Sequence, residues 1–476
     1  YPALLWGRVD LRGVTGLVDG VIRPTGVFIN EYQGYMSEEN KAVVRAQALE
    51  VIKTFRDGDC QLPSPPSNET IHRMMNFIVA GEVPEDYVPM MLEEMELDGT
   101  DQRSDAWSDE VSVDKRAQHK VLVIGGGMSG VLAAYRLQEA RIPFVVIEKN
   151  ASVGGTWYET RFPGARVDVG NHLYSYSFQP AHHWSQYFSQ QKELHEYFQG
   201  VVYTHQLQQH FRFQTEVTGA VFDEETSLWM IDTVDKDGVT EQYEVNSVIS
   251  AVGQLNRPIL PDIPGIESFK GKWCHSAAWD ESIDCSGKRV VVVGSGASAF
   301  QLVPTIAGQV EHLTVFQRSA PWMFENPIYH EDVPAGKKWC LQSLPCYTRW
   351  FRFLIFWPAC DGAHDTVFVD SEWPHQERSI NEMNEFVYTM FSDYIKSQVG
   401  DNEELLKKVI PDYAPMGKRT LQDNGSWQRA LKQENVDLQT QGVVSVSDSG
   451  VTASDGTFYP ADIIVYATGF ETDRFL

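Results

Sequence analysis

Two segments of this chain spell the same grammar, and together they constrain its fold more than any other feature. VLVIGGGMSG begins at Val121 and VVVVGSGASA at Val290. In each, a run of branched apolar residues reads as a buried strand, the glycines as a tight turn, and the residues that follow as a helix. In the first unit the strand at 121–124 meets Gly125, Gly127 and Gly130, and Val131, Leu132 and Tyr135 of the helix are expected to pack inward. A second strand at 144–147 ends at Glu148. Gly125 permits the turn, Gly127 lets the backbone approach a pyrophosphate, and Gly130 lets helix and strand pack closely. The phosphates sit at the helix N-terminus, where free N–H groups and the dipole favour negative charge. An acid in the place of Glu148 accepts hydrogen bonds from a ribose diol.

The second unit repeats the pattern with one change. Gly294, Gly296 and Ala299 form the loop, and a strand at 312–316 runs into Gln317-Arg318-Ser319. No acid stands at this strand end. A cation there accommodates a 2′-phosphate, so the second nucleotide is expected to be NADP. Two hydrophobic strands also end alike, at Ala251-Val252-Gly253 and at Ala467-Thr468-Gly469. The fold class is therefore α/β: two Rossmann-like dinucleotide-binding domains, the second inserted in the first.

Ahead of them lies a helical extension. Ser37 followed by Glu38 and Glu39 is a helix start, after which Val44, Ala48, Val51, Ile52 and Phe55 share one face. Ile71, Met74, Met75 and Ile78 recur at helical spacing in a second helix, with Gly81 at its end. Residues 99–117 are polar, without period, and read as a linker.

Composition removes several function classes. With 39 Lys and Arg against 65 Asp and Glu, the net charge is −26, a field that repels nucleic acid and anionic membranes. The six cysteines contain no C-x-x-C pair, so neither a zinc site nor a redox dithiol is expected. They read as scattered thiols of a reducing compartment, the cytoplasm. No run approaches the ~20 apolar residues of a membrane span. The densest stretch, WFRFLIFWPAC at 350–360, carries Arg352 and Pro358 and reads as a buried segment. The first residue is Tyr1 rather than Met, so the natural start is expected upstream.

Two nucleotide sites in one chain suggest FAD with NADPH. Disulfide reductases share that plan but need a redox C-x-x-C, so the electrons are expected to reach oxygen instead. Two further motifs sharpen this. Residues 269–280, FKGKWCHSAAWD, fit F-x-G-x-x-x-H-x-x-x-W-[P/D] through Phe269, Gly271, His275, Trp279 and Asp280. Residues 154–168, GGTWYETRFPGARVD, fit [AG]-G-x-W-x-x-x-x-[FY]-P-[GM]-x-x-x-D. From about residue 120 onward the chain thus resembles the Baeyer–Villiger flavin monooxygenases. The extension, through GEVPEDYVPMMLEEMEL at 81–97, resembles that of the hydroxyacetophenone monooxygenase branch.

The resemblance implies a domain order. Residues 1–98 would be the extension, 118–280 the first part of the FAD-binding domain, 281–440 an NADP-binding domain with a helical insertion, and 441–476 a return to the FAD-binding domain. Family members continue for roughly a hundred further residues, a segment expected beyond Leu476.

The resemblance also implies site roles. Thr156, Trp157, Asp168 and Tyr174 would line the FAD site, and Val217 would meet the adenine through its backbone. His275 would couple domain movement to nicotinamide binding, beside Trp279. GKRT at 417–420 is similar to the family's lysine–arginine pair, with Lys418 on the NADP phosphate and Arg419 in the active site. Asp168 would orient Arg419. The implied chemistry is reduction of FAD by NADPH, addition of O2 at flavin C4a, and attack of the resulting peroxide on a ketone to give an ester or lactone. The negative charge that develops calls for a permanently protonated donor, which arginine is. The expected partners are a small-molecule ketone and O2, with the extension as the surface for a homodimer. The alternatives are an N- or S-oxygenating flavin monooxygenase, or an inactive nucleotide-binding scaffold.

Overall fold

A computed structural model describes residues 22–26, 33–62, 64, 66–96, 101–104, 107–108 and 111–473. The chain divides into two compact units. The first comprises Tyr1–Arg103, Asp168–Phe188 and Asn326–Val387; the second comprises Ser104–Val167, Ser189–Glu325 and Tyr388–Leu476.

The first unit is built on amphipathic helices. Glu38–Asp57 starts where Ser37 Oγ accepts from the Asn40 N–H at 3.2 Å, and it buries Val44, Ala48 and Val51. Asn68–Val79 is capped in the same way by Ser67. Its stripe of Ile71, Met74, Met75 and Ile78 is fully buried. The left-handed residue that ends this helix is Ala80 (φ 54°), one position before the expected Gly81.

A third helix, Tyr87–Met95, completes the extension. The helices Asn68–Val79 and Tyr87–Met95 meet an aromatic partner from far along the chain, the helix Tyr347–Ala359, in one core that includes Trp350, Phe351, Phe353 and Leu354, while Val44 of the first helix packs with Met36 and Phe77. Truncating a fully buried Trp such as Trp350 costs about 3–5 kcal/mol. The segment expected as an insertion in the NADP-binding domain therefore shares its core with the extension, because each offers an apolar face the other lacks. Among the described residues no helix is long and apolar enough to cross a membrane.

The second unit holds two parallel sheets. The first has the strand order Phe211–Phe213, Phe144–Glu148, Val121–Ile124, Ser247–Ser250. The second has Val436–Gln439, His312–Phe316, Arg289–Val293, Ile463–Tyr466, Lys272–His275. Parallel strands buried on both faces read as continuous apolar runs, as 121–124 and 290–293 do.

The second sheet departs from the expected domain order at two places. Ile463–Tyr466 pairs in parallel with Arg289–Val293 (Ile463 opposite Val290) and with Lys272–His275, so it closes the second sheet rather than returning to the first. Lys272–His275, taken as part of the first domain, joins the second sheet as well. Asp462 pins the junction: its carboxylate accepts from the Arg289 backbone N–H at 2.9 Å and meets Nη2 at 2.6 Å, which holds the Asp462 carboxyl down at about 2.

Two smaller differences follow from local geometry. Leu132, expected to face inward, is exposed, while Val131 is buried. Within the expected linker, Val113–Ala117 forms one helical turn capped by Ser112, and Arg116 stacks over the Trp107 ring at 4.7 Å. Other linker positions (99, 100, 105, 106, 109 and 110) and the terminal residues 474–476 lie outside the described residues.

Candidate functional site

The two glycine loops have the same construction. Gly125 has φ +102°, and a Cβ there would stand 2.7 Å from the Ala251 carbonyl oxygen. Gly294 has φ +118°, and its Cβ would stand 2.3 Å from the Ala467 oxygen. The two echoing strand ends in the sequence are thus equivalent. Each alanine closes over the first glycine of its own loop, and only glycine adopts the conformation and leaves the space.

In the first loop, Gly127 caps the helix Met128–Glu139, and Gly130 is buried where that helix packs onto the turn. Glu148 is 3 % exposed at the end of its strand. Its Oε2 accepts from the Gly126 N–H at 2.5 Å and its Oε1 from the Asn150 N–H at 2.7 Å. Burial raises its pKa, and the two backbone donors oppose that shift. A carboxylate offers about four lone-pair directions, so roughly two remain for ribose hydroxyls. The Gly154 N–H donates to the Gly126 carbonyl at 3.0 Å, folding the GGTW segment over the loop. Thr156 and Trp157 open the short helix Thr156–Glu159 directly after it, with Trp157 buried. Val217 is half-buried beside a bulge in the antiparallel strand Thr215–Asp223. Asp168 and Tyr174, both half-buried, belong to the first unit.

In the second loop, Gly296 caps the helix Ala297–Ile306, and nothing lies within 4 Å of where its Cβ would be. That open approach, together with the lone pairs left on Glu148, suits a dinucleotide on each loop. Ala299 is fully buried. Ser295 Oγ donates to the Ser319 carbonyl at 3.2 Å, tying the loop to the end of the next strand. Lys418 reaches the same place from about a hundred residues away. Its Nζ lies 3.3 Å from Ser319 Oγ and 4.2 Å from the centre of the Tyr413 ring.

Arg318, Lys418 and Arg419 are exposed. Gln317 is not: at 2 % exposure it donates from Nε2 to the Lys408 carbonyl at 2.7 Å, and so supports the strand end from beneath. No sequence signal marks the Lys418–Ser319 contact, because neither residue has a local partner that reveals it.

His275 ends its strand 4 % exposed. Its Nδ1 accepts from the Ala277 N–H at 3.1 Å, and its ring meets Phe470 edge-on at 5.7 Å. Nε2, turned toward the Gly469 backbone, makes no full hydrogen bond. Burial lowers its pKa, which keeps the ring neutral at pH 7. Trp279, after the short turn Ser276–Ala278, is buried, and Asp280 accepts from the Ser282 N–H at 2.8 Å.

The family model described as pyridine nucleotide-disulphide oxidoreductase matches residues 122–341. An uncharacterized monooxygenase (y4iD) of Sinorhizobium fredii is 35% identical over 443 residues, covering 93% of this chain and 66% of that protein. A Baeyer-Villiger monooxygenase of Streptomyces coelicolor is 38% identical over 352 residues, covering 74% of this chain and 64% of its own length. The chain spans about two thirds of the length of these curated relatives. Among solved structures, cyclohexanone monooxygenase from Rhodococcus sp. Phi1 bound to NADP+ superposes with a TM-score of 0.60 at 30% identity. That match covers 74% of this chain and 70% of the other.

Proposed function

Because the chain belongs to the flavin monooxygenase family that includes the Baeyer–Villiger enzymes, we propose that it converts a ketone to an ester or lactone, using FAD, NADPH and O2. One observation carries this reading. The two glycine loops share a construction, yet one strand ends in the buried carboxylate of Glu148 and the other in Ser319 flanked by Arg318 and Lys418. A carboxylate suits a ribose diol, as in FAD, and cations suit the 2′-phosphate of NADPH.

FAD, when bound, supplies the two-electron chemistry that links NADPH oxidation to O2. The chain's residues bind, orient and stabilise. Gly125, Gly127 and Gly130 accommodate the FAD pyrophosphate, and Thr156 and Trp157 follow it. Arg318 and Lys418 hold the NADPH phosphate, with Gln317 supporting them. Neutral His275 and Trp279 serve the nicotinamide half. Arg419 stabilises negative charge developing on the carbonyl oxygen, a role for a planar fork of charged donors. By the same family likeness, Asp168 and Tyr174 are assigned to the flavin. The segment at 81–97 supports the hydroxyacetophenone branch, the extension serves as a dimer surface, and the six free cysteines suit a reducing compartment.

The test is turnover by the FAD-loaded protein. Anaerobic NADPH should bleach the flavin band, and air plus a ketone should then give ester in step with NADPH consumed. Thioether oxidation without ester would assign the chain to N- or S-oxygenation. Absence of bleaching would leave only a nucleotide scaffold.

A further inference from the structure

The helix Tyr87–Met95 carries its acids at the wrong end. Glu93 and Glu94 occupy its last turn, Glu96 follows, and no basic residue stands there. The C-terminal end of a helix dipole disfavours negative charge. A sequence that breaks a local rule usually does so for a tertiary reason.

That reason lies on the helix Tyr347–Ala359. Arg352, 6 % exposed, gives its Nε to Glu94 Oε1. With Nη1 it collects the carbonyls of His172 (2.7 Å), Leu173 (3.2 Å) and Ser175 (3.2 Å), and the Ser175 hydroxyl at 3.1 Å. One turn earlier, Arg349 pairs with Glu96 Oε2 at 2.6 Å and donates to the carbonyls of Glu94 (2.7 Å) and Ser177 (3.1 Å). Arg103 bridges Glu94 Oε2 (3.1 Å) and Ser177 Oγ (3.0 Å). The backbone of residues 172–177 is thus gathered by arginines whose charge the extension neutralises. A buried guanidinium without its carboxylate is an uncompensated charge, and lysine lacks the planar fork that serves a carboxylate and several carbonyls together.

We propose that Glu94 and Glu96 of the N-terminal extension are positioning residues that act through Arg352 and Arg349 to fix the turn at 172–177, and with it Tyr174. The inference rests on the reading that Tyr174 belongs to the flavin surround. It gives the extension a defined task in cofactor binding.

The test uses the full chain loaded with FAD, reading three quantities: amide exchange of 171–178, the FAD dissociation constant and Tm. Glu94→Gln is expected to speed exchange across 172–177 at least tenfold and to raise the FAD Kd at least tenfold. Exchange of the helix Met128–Glu139 should not change. Glu96→Gln should do the same more weakly, since its pair is less buried. The double variant E94L/R352L removes the unpaired charge, so it should recover Tm but not FAD affinity. Unchanged exchange in Glu94→Gln would overturn the proposal, as would FAD affinity that simply tracks Tm through all three variants. If wild type takes up no FAD while Glu94→Gln still loosens 172–177, the assigned function fails and the strut itself stands.

Discussion

Lys418→Ala is the sharpest test of cofactor choice. The Lys418 ammonium stands 3.3 Å from Ser319 Oγ, and Ser319 is tied through its carbonyl to Ser295 of the second glycine loop. The charge is therefore held beside the strand end where a nucleotide's 2′ position would lie. A hydrogen bond to a charged group contributes about 1.5–3 kcal/mol. Lys418 is exposed, so solvent and salt screen it, and the lower part of that range applies. About 1.5–2 kcal/mol corresponds to roughly a 10–30-fold loss, at about 1.4 kcal/mol per tenfold. The assay is the saturation of anaerobic flavin reduction with NADPH and, separately, with NADH. The NADPH Kd should rise roughly 10–30-fold while that for NADH stays within about twofold. The variant should also flatten the salt dependence of NADPH binding. Equal losses for both cofactors, or no loss for either, would refute the phosphate assignment. Arg318→Ala should discriminate in the same direction.

Three other outcomes are expected. Arg419→Ala should still permit flavin reduction by NADPH, while ester formation falls by about 10²–10³, the usual effect of losing a charge-stabilising donor; product analysis checks it. Gly294→Ala must place a Cβ 2.3 Å from the Ala467 oxygen at φ +118°, so NADPH binding should be lost while the flavin spectrum persists, as equilibrium dialysis and absorbance would report. His172 is 1 % exposed with both ring nitrogens unpaired, and burial, ahead of the nearby Lys337, lowers its pKa to about 3. Its depressed value means the unfolded chain binds the extra proton, so its contribution is full above pH 6.5 and fades as pH falls toward 3. His172→Phe should therefore lose about 2–3 kcal/mol less than wild type between pH 7 and 4.5, measured by urea unfolding.

What the sequence disclosed were features whose signals are local. The glycine loops, Glu148 and the methionine stripe at Ile71–Ile78 each depend on neighbours within one or two turns, and the structure has them in the expected elements. Pairings across long separations were not legible. The strand before Ala467 looks like the strand before Ala251, but only register against Val290–Val293 shows which sheet it closes. Arg352 sat inside an aromatic run, where it passed for an interruption of an apolar segment; its partners lie about 180 and 260 residues away. Gln317 stands at a strand end in the sequence, and its hydrogen bond to the Lys408 carbonyl is supplied only by the fold. A four-residue motif alone marks Lys418 in the sequence, and its neighbour Ser319 is supplied by the fold.

The central claim is that this chain inserts one atom of O2 beside a ketone carbonyl. It is tested most directly by turning over a cyclic ketone with NADPH and FAD under 18O2. The product should be a lactone carrying a single 18O, located in the ring oxygen, with one NADPH consumed per lactone. Recovery of unchanged ketone, with NADPH oxidised to NADP+ and O2 reduced only to hydrogen peroxide, or of unlabelled lactone, would contradict it.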